Sequence, residues 1–194
     1  MIIVIPWAGT VQGDTEDSEK VRVERPKVCP ACGYDRLIFW GGRFRFATSK
    51  EEDIRLYVRR VKCRDCGETH TLSPDFLFYR RVFLAELIVQ ALSLRFLENA
   101  GIRAVAKHLG ISRSTIFRWV KRFAALAESH YRRLSYLYHT HFPGAPPPPV
   151  SGNFPSAFLN LARRFFLLQT SQTKQGGSGF ASWLSLYSGG YLLS

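Results

Sequence analysis

Every cysteine of this chain lies in one of two Cys-x-x-Cys-Gly segments, Cys29-Pro30-Ala31-Cys32-Gly33 and Cys63-Arg64-Asp65-Cys66-Gly67. The thiols of each segment sit on one side of a tight bend, and the following Gly relieves backbone crowding there. Brought together, two such bends offer four thiolates in a tetrahedron, a donor set suited to zinc. A complete thiolate set leaves no position for water or substrate. The expectation is therefore one structural Zn²⁺ per chain, held by Cys29, Cys32, Cys63 and Cys66. A redox pair would occur singly, before a helix in a βαβ unit, and that pattern is missing. His70 reads as a strand histidine, since the thiolate set is complete without it.

A second group of residues points to phosphate and bases. Ile102 to Trp119 reads Ile-Arg-Ala-Val-Ala-Lys-His-Leu-Gly-Ile-Ser-Arg-Ser-Thr-Ile-Phe-Arg-Trp. Val105, Ala106 and Leu109 turn inward on a short helix, Gly110 permits the sharp turn, and Ser112 caps a second helix. Ile116, Trp119 and Val120 pack the inner side of that helix, which makes the whole a helix-turn-helix pattern. Its outward residues are Arg113, Ser114, Thr115, Phe117, Arg118 and Lys121, the positions from which a recognition helix meets the major groove. Arg118 suits a guanine edge or a phosphate, while Lys107 and Arg122, at the margin, suit phosphates.

The charge distribution supports a polyanionic partner. The formal net charge is +12, and residues 80 to 133 carry eleven Lys or Arg against three Glu. Double-stranded DNA is the expected partner, because a surplus of cations attracts phosphate before any specific contact forms. Enzymatic readings are constrained by an absence: no Asp or Glu follows Glu128. A two-metal nuclease or strand transferase needs several carboxylates on a folded catalytic domain, and no phosphate-binding glycine loop or nucleophile elbow occurs either. The chain is expected not to be an enzyme.

The elements that must position these groups follow from periodicity. Met1 to Trp7 reads as an edge strand, and Thr10 to Lys20 as a flexible acidic lead-in. It lacks the basic start of a signal peptide, and no apolar run is long enough to span a membrane. With paired thiols, this fits a cytoplasmic, nucleoid-associated protein. Leu37 to Trp40 and Arg43 to Phe46 flank Gly41-Gly42 as a hairpin signal, and Ile54 to Val58 and Thr69 to Leu72 complete a sheet of about three strands. From Asp75 the period becomes helical, with a helix from about Tyr79 to Asn99 stopped by Gly101. After Leu134 the signal decays, because Pro143 to Pro149 and Gly176 to Gly179 interrupt any continuous fold, although Phe158 to Leu168 can form one amphipathic helix.

The two cysteine segments, then Leu72-Ser73-Pro74-Asp75-Phe76-Leu77 leading into a helix, then Gly101 to Trp119, resemble a bacterial family of uncharacterised zinc-ribbon and helix-turn-helix proteins. The layout is similar to the amino-terminal DNA-binding part of insertion-sequence transposases, over residues 20 to 135. The resemblance implies zinc on the four cysteines and DNA on the helix from Ser112. The chain departs from the complete transposase pattern in lacking the catalytic domain. The expected architecture is α+β: a lead-in over 1–20, a zinc ribbon over 21–78, an all-helical helix-turn-helix domain over 79–135, and an irregular tail over 136–194, dispensable for DNA binding beyond about Phe142. The expected function is DNA binding, as a stand-alone regulator or the targeting half of a divided transposase, with a homodimer or a separate catalytic subunit as protein partner. The alternative is an interaction adaptor in which ribbon and helices bind another protein, and an enzyme, as a partial transposase, comes third.

Overall fold

The computed structural model describes residues 2–7, 23–50, 52–78, 82–150, 152–172, 179–188 and 192. The acidic lead-in therefore lies outside the described residues. The fold is mixed α+β and divides into two compact units, Met1–Ala85 with Ser185–Tyr191, and Glu86–Leu184 with Leu192–Ser194. Among the described residues no helix is long and apolar enough to cross a membrane.

The first unit is a four-stranded sheet of β1 (Ile2–Ile5), β2 (Leu37–Thr48), β3 (Asp53–Cys63) and β4 (Thr69–Pro74), in the order β1-β4-β3-β2. β1 runs parallel to β4, and the other pairs are antiparallel. The sequence suggests a turn at Gly41-Gly42; the structure instead carries β2 straight through these glycines and makes them a β-bulge, with the register shifting between Phe39 and Gly42. Gly41 takes φ 66°, and a Cβ on Gly42 would lie 2.6 Å from the Tyr57 ring and 2.8 Å from the Val58 carbonyl oxygen. Two glycines inside a strand serve a bulge as well as a turn, and the long antiparallel pairing on both sides decides for the bulge. The turn itself comes at Ser49, whose N–H donates to the Glu52 carbonyl at 2.9 Å and whose hydroxyl accepts from the Glu52 N–H at 2.9 Å.

The bulge has a consequence for the core. Ile54, Leu56 and Val58 are buried at one end of β3, Val61 and Cys63 at the other, and the two sets differ in parity. Since successive side chains of a strand point to opposite faces, the sheet buries opposite faces at its two ends. One cluster joins Ile5, Cys29, Leu37, Val61, Cys63 and Leu72; the other joins Ala47, Ile54, Leu56, Phe76 and Leu77. Neither is large, as expected of so small a sheet.

The second unit contains α1 (Ala85–Phe96) beyond its first residue, α2 (Ile102–Leu109), α3 (Arg113–His141) and α4 (Phe154–Gln172). Helix α1 is shorter than its apolar period suggests. At its start, Thr48 bridges Phe83 and Leu77 bridges Leu84, so this stretch is held in sheet-like pairing. It also ends early, at Phe96 rather than at Asn99; Asn99 adopts φ 55°, a left-handed conformation that Asn tolerates, and Gly101 is extended and caps α2.

The largest departure concerns the tail, whose described residues are mostly helical rather than irregular. Helix α3 runs on to His141, burying Leu134 and Tyr138 beyond the last clear sequence signal. After the proline stretch, Asn153 caps α4 by accepting from the Ser156 N–H at 3.1 Å, with Pro155 in the first turn, where a missing N–H costs nothing. Ala157, Phe158, Leu161, Ala162 and Phe165 of α4 are buried. Phe158 meets Phe123, and Phe165 meets Tyr138, at ring separations of 5.6 and 5.8 Å. The prolines form the connection between two packed helices: Tyr138 Oη donates to the Pro146 carbonyl at 3.3 Å. A further helix, α5 (Phe180–Tyr187), passes from the second unit into the first, where Ser185 Oγ donates to the Leu77 carbonyl at 3.0 Å.

Candidate functional site

The two Cys-x-x-Cys-Gly segments fold into matching turns. In each, the first cysteine's N–H donates to the carbonyl five residues on, Cys29 to Tyr34 at 2.7 Å and Cys63 to Glu68 at 2.9 Å. The glycine N–H returns to the first cysteine's carbonyl, Gly33 to Cys29 at 2.8 Å and Gly67 to Cys63 at 3.1 Å. Both glycines adopt positive φ, 81° and 75°, which any side chain would oppose. β3 delivers the second turn at its carboxyl end, while an Arg64 N–H bond to the Arg36 carbonyl, 2.9 Å, and an Arg36–Asp65 ion pair, 3.1 Å, tie the two turns together.

The result is a cluster in which the four Sγ atoms lie within 4.8 Å of one another. Cys29 and Cys66 are 3.8 Å apart, Cys32 and Cys63 3.6 Å. A tetrahedron of thiolates about 2.3 Å from an ion has edges of about 3.8 Å, close to the two separations above, so this cluster can hold a metal ion. The proton affinities agree. Burial pushes the Cys29 thiol up, but the backbone at Ala31 and Cys32, the His70 ring and the Cys32 thiol prevail and leave it lowered to about 6. At Cys32 the backbone at Tyr34 favours the thiolate, yet burial and the thiols of Cys66, Cys29 and Cys63 push it up to about 12. At Cys66 the backbone at Glu68 likewise favours the thiolate, but burial and the Cys63 and Cys29 thiols raise it on balance. One thiolate forms readily while its neighbours resist a second negative charge, which a cation would relieve.

His70 does more than its strand position suggests. It is fully buried in β4 with Nε2 3.3 Å from Cys29 Sγ, and its Nδ1 has no hydrogen-bond partner among the described residues. Such a ring can orient and charge-stabilise a ligand thiolate. The signal that could have found it is the alternation of β4, which puts His70 and Leu72 on the face that Val61 and Cys63 share.

The other candidate residues lie on α2 and α3. Val105, Ala106 and Leu109 are buried on α2; Ile116, Trp119 and Phe123 are buried on α3. Gly110, at φ 67°, ends α2 with its N–H on the Ala106 carbonyl, and Ser112 caps α3 by accepting from the Thr115 N–H at 3.3 Å. With these inward positions fixed, Arg113, Ser114, Phe117, Arg118 and Lys121 run along the exposed side of α3, with half-buried Thr115 and exposed Arg122 at its margins. Lys107 is exposed on α2. Phe117 is 53% exposed, although its neighbours Trp119 and Phe123 on the same helix are buried. Arg118 is folded along its own helix, Nε on the Ser114 carbonyl and a terminal nitrogen on Thr115 Oγ1, both at 3.3 Å. No acidic residue occurs between Gly101 and Ala127.

Residues 29–119 match a family model described as Domain of unknown function (DUF6431). The matched span, a little under half of the chain, begins at the first cysteine and ends at the buried Trp119. No curated protein and no solved structure matches the chain.

Proposed function

We propose that this chain is a DNA-binding protein in which zinc on Cys29, Cys32, Cys63 and Cys66 stabilises the sheet unit, and α2 and α3 act as a helix-turn-helix. The observation that carries this reading is the exposed, acid-free side of α3 from Arg113 to Arg122, set by an inner side of Ile116, Trp119 and Phe123 and by the Gly110 turn. An α-helix fits the major groove, and the side chains near its amino end meet base edges there. The family match takes in the cysteines, α2 and the first two turns of α3 as one span, which supports reading them together. The scarcity of carboxylates fits a role without catalysis, as a regulator or as the targeting part of a transposase-like assembly.

Fluorescence anisotropy on duplexes selected from a random pool tests the reading. Arg118→Ala should weaken the preferred duplex by about 1–3 kcal/mol and flatten the preference among sequences. Lys107→Ala should weaken all duplexes alike and lower the salt slope by about one. Unchanged affinity and preference when Arg113 and Arg118 are both replaced by Ala in folded protein would falsify the assignment. Elemental analysis of protein purified without added metal should give one zinc per chain.

A further inference from the structure

Among the described residues, the face of β2 and β3 opposite Ala47, Ile54 and Leu56 is left open at the hairpin end of the sheet. That face carries Phe44 and Phe46 from β2, paired in register with Tyr57 and Arg55 of β3, and continues through Arg59 to Phe39. Phe39, Phe44 and Phe46 are 44%, 39% and 63% exposed, a concentration of rings that a sheet face turned to water rarely keeps. The rings are interleaved with cations. The Arg55 guanidinium lies 3.8 Å from the centre of the Phe44 ring, and that of Arg59 5.6 Å from the centre of Phe39. Phe44 and Tyr57 meet edge to face at 5.2 Å. Beside Phe39 and Arg59 an open cleft of about 550 Å³ is completed by Val23, Glu24 and Arg25. Neither Leu37 to Lys50 nor Ile54 to Cys63 contains an acidic residue, and among the described residues Glu24 is the carboxylate at this cleft.

We propose that this face binds single-stranded nucleic acid, stacking its bases on Phe44, Phe46 and Phe39 while Arg55 and Arg59 meet its phosphates. Unpaired bases present flat π-surfaces that aromatic rings accept regardless of sequence, and a sheet can seat two or three of them in a row. Same-face residues of a strand are about 7 Å apart, which gives successive rings separate bases. A duplex keeps its bases stacked inside and offers such rings nothing to stack on. Charge decides between a strand of nucleic acid and an apolar protein partner: a hydrophobic docking surface has no use for guanidinium groups laid across its rings, whereas a polyanion with aromatic bases uses both. The Glu24 carboxylate at the edge of the cleft can accept from an exocyclic amino group of a base.

The test uses the full-length, metal-loaded protein and a fluorescein-labelled oligothymidylate of about twenty nucleotides, a span of one or two binding platforms. The strand should bind with an affinity that falls steeply with salt. Phe44→Thr with Phe46→Thr, which keeps strand propensity at both positions, should weaken binding by about 5- to 150-fold per lost stack, with far-ultraviolet dichroism and zinc content unchanged. Arg55→Gln, a second variant that spares the rings, should lower the salt slope by about 0.7. Neither change should alter duplex binding, and Arg113→Ala with Arg118→Ala should leave the strand bound. The inference is overturned if the strand does not bind at low salt, if an acidic aromatic peptide binds in its place, or if both the ring and Arg55 variants leave its affinity unchanged. It is overturned equally if Arg113→Ala with Arg118→Ala abolishes strand binding, since the strand would then lie on α3. Loss of duplex binding alone would instead overturn only the role proposed for α3.

Discussion

In the sheet unit the buried side chains form two clusters of six and five residues on opposite faces, one of them edged by four thiols. In the helical unit a run of rings joins three helices: Phe96 meets Phe123 at 5.6 Å, and Phe123 meets Phe158 at 5.6 Å. A second group, Tyr138, Phe142 and Phe165, closes the far end of α3 and α4. The first unit has little apolar area to bury and relies on directed bonds at one end. The second has enough area to fold by packing alone. Two ways of holding a fold thus share one short chain, and they should fail under different insults.

Removing the metal should separate them most widely. A structural zinc site contributes on the order of 10 kcal/mol or more to its own unit, so chelation or Cys63→Ser should unfold the sheet and leave the helices standing. Far-ultraviolet dichroism should keep the helical signal while backbone amides of β2 to β4 lose their protection from hydrogen exchange. Simultaneous loss of both would mean the helical unit depends on the metal too.

The converse experiment is Phe158→Ala, which opens a cavity between α3 and α4. It should cost about 3–5 kcal/mol in the helical unit, while zinc content stays at one per chain. A chain ending at Thr140 should lose that unit's cooperative melting for the same reason, because α4 takes part in most of the ring contacts described there. An unperturbed thermal transition in either variant would show that α4 is an accessory.

The smallest effect concerns pH. Burial pushes His130 below its ordinary value against the opposing Leu192 backbone, and the nearby Arg133 charge adds to the depression. Above about pH 7 the ring is neutral folded or unfolded and contributes nothing; as pH falls below about 6.5 the unfolded chain takes a proton that the folded one resists, and stability is lost. Replacing His130 with Phe, beside the Phe158 ring 5.7 Å away, should remove this dependence. The two proteins' melting temperatures should therefore diverge as pH falls from about 7 to 5.5, the wild type dropping faster. Parallel curves would place the acid sensitivity elsewhere.

These contrasts also explain what could be read in the sequence. The thiol cluster was legible because Cys-x-x-Cys-Gly is a local turn whose chemistry is incomplete until a second copy meets it. Inward positions such as Val105, Ile116 and Trp119 were legible because a helix repeats every 3.6 residues whatever it packs against. Gly41-Gly42 was not, since a turn and a bulge need the same freedom at φ and only the partner strand chooses between them. His70 was hidden because its ring acts through a fold neighbour distant in sequence. The helix from Phe154 was legible only over Phe158 to Leu168, because four consecutive prolines read as an end, when here they connect two helices that pack side by side.

One feature of β2 bears on how this protein stays in solution. Among the described residues β3 is the one strand neighbour of β2, and on its other side Thr48 bridges Phe83, so most of that side of a twelve-residue strand lies at the edge of the sheet. Long, flat, apolar edges of this kind invite open-ended stacking and aggregation. The double glycine breaks the straight run of donors and acceptors near its middle, and Arg43 and Arg45 follow at once on the same strand. Replacing the two glycines with valines would straighten that edge, and the cost would appear as fibrils or precipitate in the test tube.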